Sequence, residues 1–143
     1  MAAALLASLA LLAGPGCAAE ECATTIEQGW IRLPPVAMPM TAGFGTISNA
    51  CNTPVTVIGA RSPGFGDASL HQSEIVDGIS RMRPVDRLTV PPGGSVELEP
   101  GGLHLMLMQP AVPLSEGATV DIELALEDGS TINGQLRVRK ARP

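Results

Sequence analysis

After the first twenty residues, apolar and polar positions alternate in short runs, and each run ends at glycine, proline or an Asx-rich turn. Alternation with a period of two marks strands with one buried face, and no later window keeps a helical period. "IEQGWIRLPP" alternates in part and is stopped by Pro34 and Pro35. "GFGTISN" and "PVTVIGA" follow on either side of a turn at residues 49–54. "ASLHQSEIV" and "ISRMRPV" flank Asp77-Gly78, a dipeptide suited to a tight hairpin. "RLTV", "SVELEP" and "LHLMLM" continue the series. "TVDIELALE" and "TINGQLRVR" bracket a second hairpin signal at Glu127–Ser130. Eight to ten short strands with turns this frequent predict an all-β fold, a Greek-key β-sandwich or barrel.

The 143 residues suffice for one domain, and a hydrophobic content of 45% supports a packed core. With no Tyr, and only Trp30, Phe44 and Phe65 as aromatics, the chain lacks a base-stacking surface. The net charge of −5 also opposes phosphate backbones, so no nucleic-acid role is expected. The opening "MAAALLASLALLAGPGCAAE" has the short apolar run and small-residue end of a secretory signal. Residues 1–19 are therefore assigned to a signal peptide and 20–143 to a single exported domain, with no membrane insertion of the mature chain. Acylation at Cys17 is the alternative, although "GPGC" lacks the usual Leu before the cysteine. Loss of Cys17 with the signal leaves Cys22 and Cys51, an even pair that fits a structural disulfide in an oxidising compartment.

One strand carries chemistry that packing does not need. In "GGLHLMLMQP", alternation sends Leu103, Leu105 and Leu107 to one face and His104, Met106 and Met108 to the other. The chain's other histidine, His71, lies in the first strand of the predicted hairpin and Met82 in the second. Arg81 and Arg83 flank Met82, which places both charges opposite the thioether and suits a Met face that is not simply solvent-exposed. Two imidazoles and two thioethers form a soft, uncharged donor set that favours Cu(I). Zn(II) prefers thiolate, Ca(II) and Mg(II) need carboxylates, and a blue-copper electron carrier uses a cysteine that is missing from this set. A lone histidine or methionine in a strand is ordinarily structural; pairing both histidines with methionines is what raises the metal reading. Met108 is read as packing at the site's edge, and Met38 and Met40 as packing or rim contacts in a Pro-rich loop.

These residues resemble the PCuAC family of periplasmic Cu(I) chaperones, whose motif is His-x10-Met-x21-His-x-Met. Ten residues separate His71 from Met82, twenty-one separate Met82 from His104, and Met106 completes His-x-Met. "RMRPV", "PPGGSVELEPGGLHLML" and "PLSEGATVDIELALEDG" are similar to the family as well, so the resemblance runs from about Trp30 to Val138. It implies a cupredoxin-like β-sandwich with a near-surface Cu(I) site formed by His71, Met82, His104 and Met106. It also implies a periplasmic location and delivery of copper to the Cu(A) subunit of cytochrome c oxidase or to a Sco-type chaperone. The ending "RVRKARP" departs from members whose Met- and His-rich tail holds Cu(II).

Two other functions compete. One is a β-sandwich adhesion or assembly module with structural His and Met. The other is an enzyme, but Ser73 in "LHQS" has neither a nucleophile elbow nor a paired base, and "GFGTIS" and "GFGDAS" do not complete a dinucleotide loop. The expectation is a monomeric copper-binding protein without catalytic activity.

Overall fold

The computed structural model describes residues 22–142, so the signal-peptide and Cys17 readings lie outside the described residues. Ten strands follow in chain order: β1 (Thr24–Leu33), β2 (Met40–Asn49), β3 (Val55–Arg61), β4 (Phe65–Val76) and β5 (Ile79–Pro84). They continue with β6 (Leu88–Val90), β7 (Ser95–Leu98), β8 (Leu103–Pro110), β9 (Thr119–Leu126) and β10 (Thr131–Lys140). No described residue is helical. Each sequence segment singled out above forms a strand. β2 begins at Met40 rather than Gly43, so Met40 belongs to the sheet and not to the loop, and β4 likewise begins at Phe65 rather than Ala68.

The strands hydrogen-bond in the order β5-β4-β8-β2-β1-β10-β9-β3-β6, and a bridge between Ala60 and Ala68 joins β3 back to β4. The sheet thus curls into a closed, flattened barrel with two packed faces, the all-β cupredoxin-like sandwich expected. β1 and β10 pair in parallel, with Trp30 beside Arg137 and Arg32 beside Arg139; the other ladders are antiparallel. Strand β2 has one long edge with two partners, β8 along Met40–Gly43 and β7 along Gly45–Ser48. Gly45 makes the change of partner with φ of 154°, and a Cβ there would meet the carbonyl oxygen of Glu27 at 3.0 Å.

The partial alternation of the first strand has a specific cause. Gln28 takes φ of 52° and the β1–β2 register shifts between Glu27 and Trp30, which is a β-bulge. The bulge lets Ile26 and Ile31 both enter the core although five positions separate them, and it turns Trp30 outward. The core they join includes Ile47, Val57, Leu70, Leu105, Leu107, Leu124 and Leu136. The Asp77-Gly78 turn also forms as expected: both residues have positive φ, 52° and 75°, and Val76 pairs with Ile79.

Just beyond the end of β2, Cys22 and Cys51 are bridged, with Cα atoms 4.9 Å apart. Buried Asn49 secures the same end. Its amide donates to the carbonyl oxygens of Thr53 and Val90, and its Oδ1 accepts from the Cys51 N–H. Replacing both cysteines by serine opens a loop of sequence separation 29 and should lower unfolding free energy by about 3 to 4 kcal/mol. Denaturant titration measures this; an unchanged midpoint would show that Asn49 and the ladders hold this end without the bridge.

Candidate metal centre

The register between β4 and β8 assembles the site. Leu70 pairs with Leu105 and Ala68 with Leu107, and these side chains point into the core. The intervening pairs, His71 with His104 and Ser69 with Met106, therefore share the outer face. The two imidazole centroids lie 6.1 Å apart with their planes inclined by 34°. That separation leaves room for one ion bound by a nitrogen of each ring at metal–nitrogen distances of about 2 Å. On the other side of β4, Met82 of β5 pairs with Ser73, two positions further along the same face.

Each imidazole is anchored through one nitrogen. His104 is buried, and its Nδ1–H donates to the Gly102 carbonyl oxygen at 3.0 Å, which leaves the lone pair on Nε2. His71 Nε2 lies 3.0 Å from Ser69 Oγ, while its Nδ1 is buried and has no hydrogen-bond partner. With the proton on Nε2 donating to Ser69, Nδ1 carries a buried lone pair. A buried unpaired acceptor is costly in a purely structural histidine and is what a metal ligand needs. Burial, followed by the nearby His104, pushes the His71 pKa below its ordinary value of 6.5, and Asp67 opposes the shift.

Phe44 forms the floor under His104, with ring centroids 6.4 Å apart. It is itself buried, stacks on Trp30 at 4.5 Å, and carries the Arg32 guanidinium 5.2 Å from its centroid. Above this floor is a cavity of about 300 Å³ whose wall includes His104, Met106, Met82, Met38 and Met40. Four of the chain's six methionines thus line one opening. Arg32, Pro34 and Pro35 also line it. Among the described residues, no three His, Cys, Asp or Glu side chains cluster as metal ligands. The donors on this wall are the His104 imidazole and four thioethers, with His71 paired beside His104 but off the wall; such a set suits a soft monovalent ion and not a zinc or calcium site.

The four residues singled out in the sequence share one face, with different exposure. His71, His104 and Met106 are buried or half-buried, whereas Met82 is 56% exposed on an edge strand with every residue exposed. The inference from Arg81 and Arg83 that the Met82 face is sheltered was therefore incorrect. An edge strand needs its charges because no described residue covers it, and Arg83 reaches Glu74 at 3.7 Å instead of shielding the thioether. Met108 pairs with Met40 and Asp67 and stays off the cavity wall. Ser69, Phe44, Arg32 and the Gly102 carbonyl support the site and were not singled out.

Fold and site together describe a cupredoxin-like domain with a soft donor cluster on one outer sheet face. Residues 24–138 match the family described as "Putative lipoprotein LpqE-like", and the chain belongs to that family. A relative from Leifsonia xyli, "Putative lipoprotein Lxx21020", is 31% identical over 107 residues, 74% of this chain and 63% of that protein. The chain therefore spans less than two thirds of that relative's length. The solution structure of Cu(I)-DR1885 from Deinococcus radiodurans superposes with a TM-score of 0.67 at 30% identity, covering 85% of this chain and 82% of that one. The copper-bound PCuAC domain from PmoF2 superposes with a TM-score of 0.65 at 22% identity, covering 81% and 92%, and shows a shared fold.

The depressed His71 pKa has a definite sign. The unfolded chain takes up the proton first on acidification, so the contribution of His71 to apo-protein stability is present above about pH 6.5 and is lost as pH falls through the folded value. Proton NMR should place the His71 midpoint below the ordinary imidazole range, and His71→Gln should flatten the stability-versus-pH curve in that interval. A midpoint at or above 6.5 would contradict the buried, unpaired environment described.

Proposed function

We propose that this protein is an exported copper chaperone. In this reading it holds one Cu(I) through His71, Met82, His104 and Met106 and passes it to a partner protein. The observation that carries it is the cross-strand pair of histidines. One imidazole is oriented by a backbone carbonyl, and the other keeps a buried nitrogen without a partner.

The chemistry is ligand exchange, with no change of oxidation state. Two neutral imidazoles and two thioethers leave a bound Cu(I) with a single net charge. The Arg32 guanidinium in the cavity wall repels a dication about twice as strongly as a monocation, which favours the reduced ion. Met82, more than half exposed, is the donor a partner's ligand displaces first, while buried His104 lets go last. Relatives support the assignment: one matched structure is a Cu(I) form and another a copper-bound PCuAC domain. The acceptor in this proposal is the Cu(A) subunit of cytochrome c oxidase or a Sco-type chaperone. The lipoprotein names of the family and of the Leifsonia relative support export, and with it a periplasmic location. They also bring Cys17 forward as a lipid-anchor position. The chain acts without catalysis in this reading.

Anaerobic Cu(I) titration against a competing chelator tests the proposal. Wild type should take up one tight equivalent, and His104→Ala and Met106→Leu should each weaken it by at least about tenfold. Met82→Leu should keep the fold, because the volumes match, and raise the dissociation rate. Wild-type protein that fails to compete would return the histidines to a structural role in an assembly module.

A further inference from the structure

The cavity holds more soft donors than one ion uses. Met38 and Met40 line the same wall as Met82, Met106 and His104, yet neither belongs to the four-residue set proposed above. Both remain strongly exposed for methionines, at 48% and 40%. Met40 is fixed in the sheet by pairing with Met108, and the Gln109 N–H donates to the Pro39 carbonyl oxygen at 2.7 Å. Pro34, Pro35 and Pro39 restrict the backbone of the intervening loop. Met38 is therefore presented at the cavity mouth by a stiff segment.

We infer that Met38 and Met40, with Met106 at the shared wall, form a second, outer Cu(I) position at the mouth of this cavity. The inference rests on the copper reading above and deepens it. Core packing does not explain these two residues, because the buried core has no part in their exposed surface. Thioethers need no deprotonation and bind Cu(I) in low coordination, so a three-sulfur position is weaker than the histidine-containing one and exchanges faster. Ala42, next to Met40 on the same face and paired with Met106, is small enough to leave the two positions open to each other. The outer position loads or releases the ion. With a single ion bound, Met106 passes from one donor set to the other as copper moves by exchange of donors with no electron transferred. With two ions bound, Met38 and Met40 alone hold the outer one in the two-coordinate geometry a soft d10 ion accepts.

The test uses the chain labelled with 13C at methionine methyl groups and titrated with Ag(I), a redox-inert soft ion, followed by anaerobic Cu(I) competition. The first equivalent should shift Met82 and Met106, and the second should shift Met38 and Met40. The double variant Met38→Leu/Met40→Leu should keep the first dissociation constant within about twofold and weaken the second by at least about tenfold. Met38 and Met40 signals that stay unmoved at two equivalents, with first-site binding intact, would overturn the outer position and leave the chaperone reading standing. Loss of the first equivalent in the double variant would make these residues primary ligands and overturn the division into two positions. Absence of any Ag(I) or Cu(I) binding by the wild type would overturn both proposals together.

Discussion

The site depends on one cross-strand register. Leu70 opposite Leu105 and His71 opposite His104 are consecutive pairs in the β4–β8 ladder, so the same pleat that buries the leucines turns both imidazoles outward. A slip of one residue would exchange the faces, burying charged and polar groups and exposing the core. The register is therefore held by the whole hydrophobic core, and the two histidines inherit that rigidity at no separate conformational cost. The supporting contacts follow from it. Gly102 enters β8 with its carbonyl beside the His104 ring, and Ser69 lies two positions from His71 on the same face.

Rigidity is graded across the site. His104 sits between the closed sheet and the Phe44–Trp30 stack, which Arg139 covers with its guanidinium 4.0 Å from the Trp30 ring. Met82 stands at the other extreme, on an edge strand with no further strand beyond it among the described residues. A protein that holds a metal for transfer needs both ends of this gradient: a buried imidazole to define the geometry and an accessible thioether to give it up. The disulfide and Asn49 tie the start of β1 to the turn after β2 and to the end of β6.

Much of this was legible in the sequence because it follows from local periodicity. Alternation located the strands, Asp77-Gly78 located the hairpin, and the even cysteine pair located the bridge. The leucine and histidine-methionine faces of β8 separate as alternation requires. What periodicity missed depends on long-range pairing. The bulge at Gln28 broke the pattern of β1 and hid which face Trp30 occupies. Met40 read as loop because its strand partner, Met108, lies sixty-eight positions away. The floor of Phe44 and Arg32 arises where β1, β2 and β8 meet, which no single segment encodes. The exposure of Met82 was misjudged because flanking charges report which side a residue takes on a strand, and say nothing of whether another strand covers that side.

X-ray absorption of the protein loaded anaerobically with one equivalent of Cu(I) is the most direct test of the central claim. The account predicts a Cu(I) edge with a first shell of two nitrogen and two sulfur scatterers, and loss of one nitrogen in His71→Gln. A shell of sulfur alone, or of nitrogen and oxygen without sulfur, would contradict the histidine–methionine clamp.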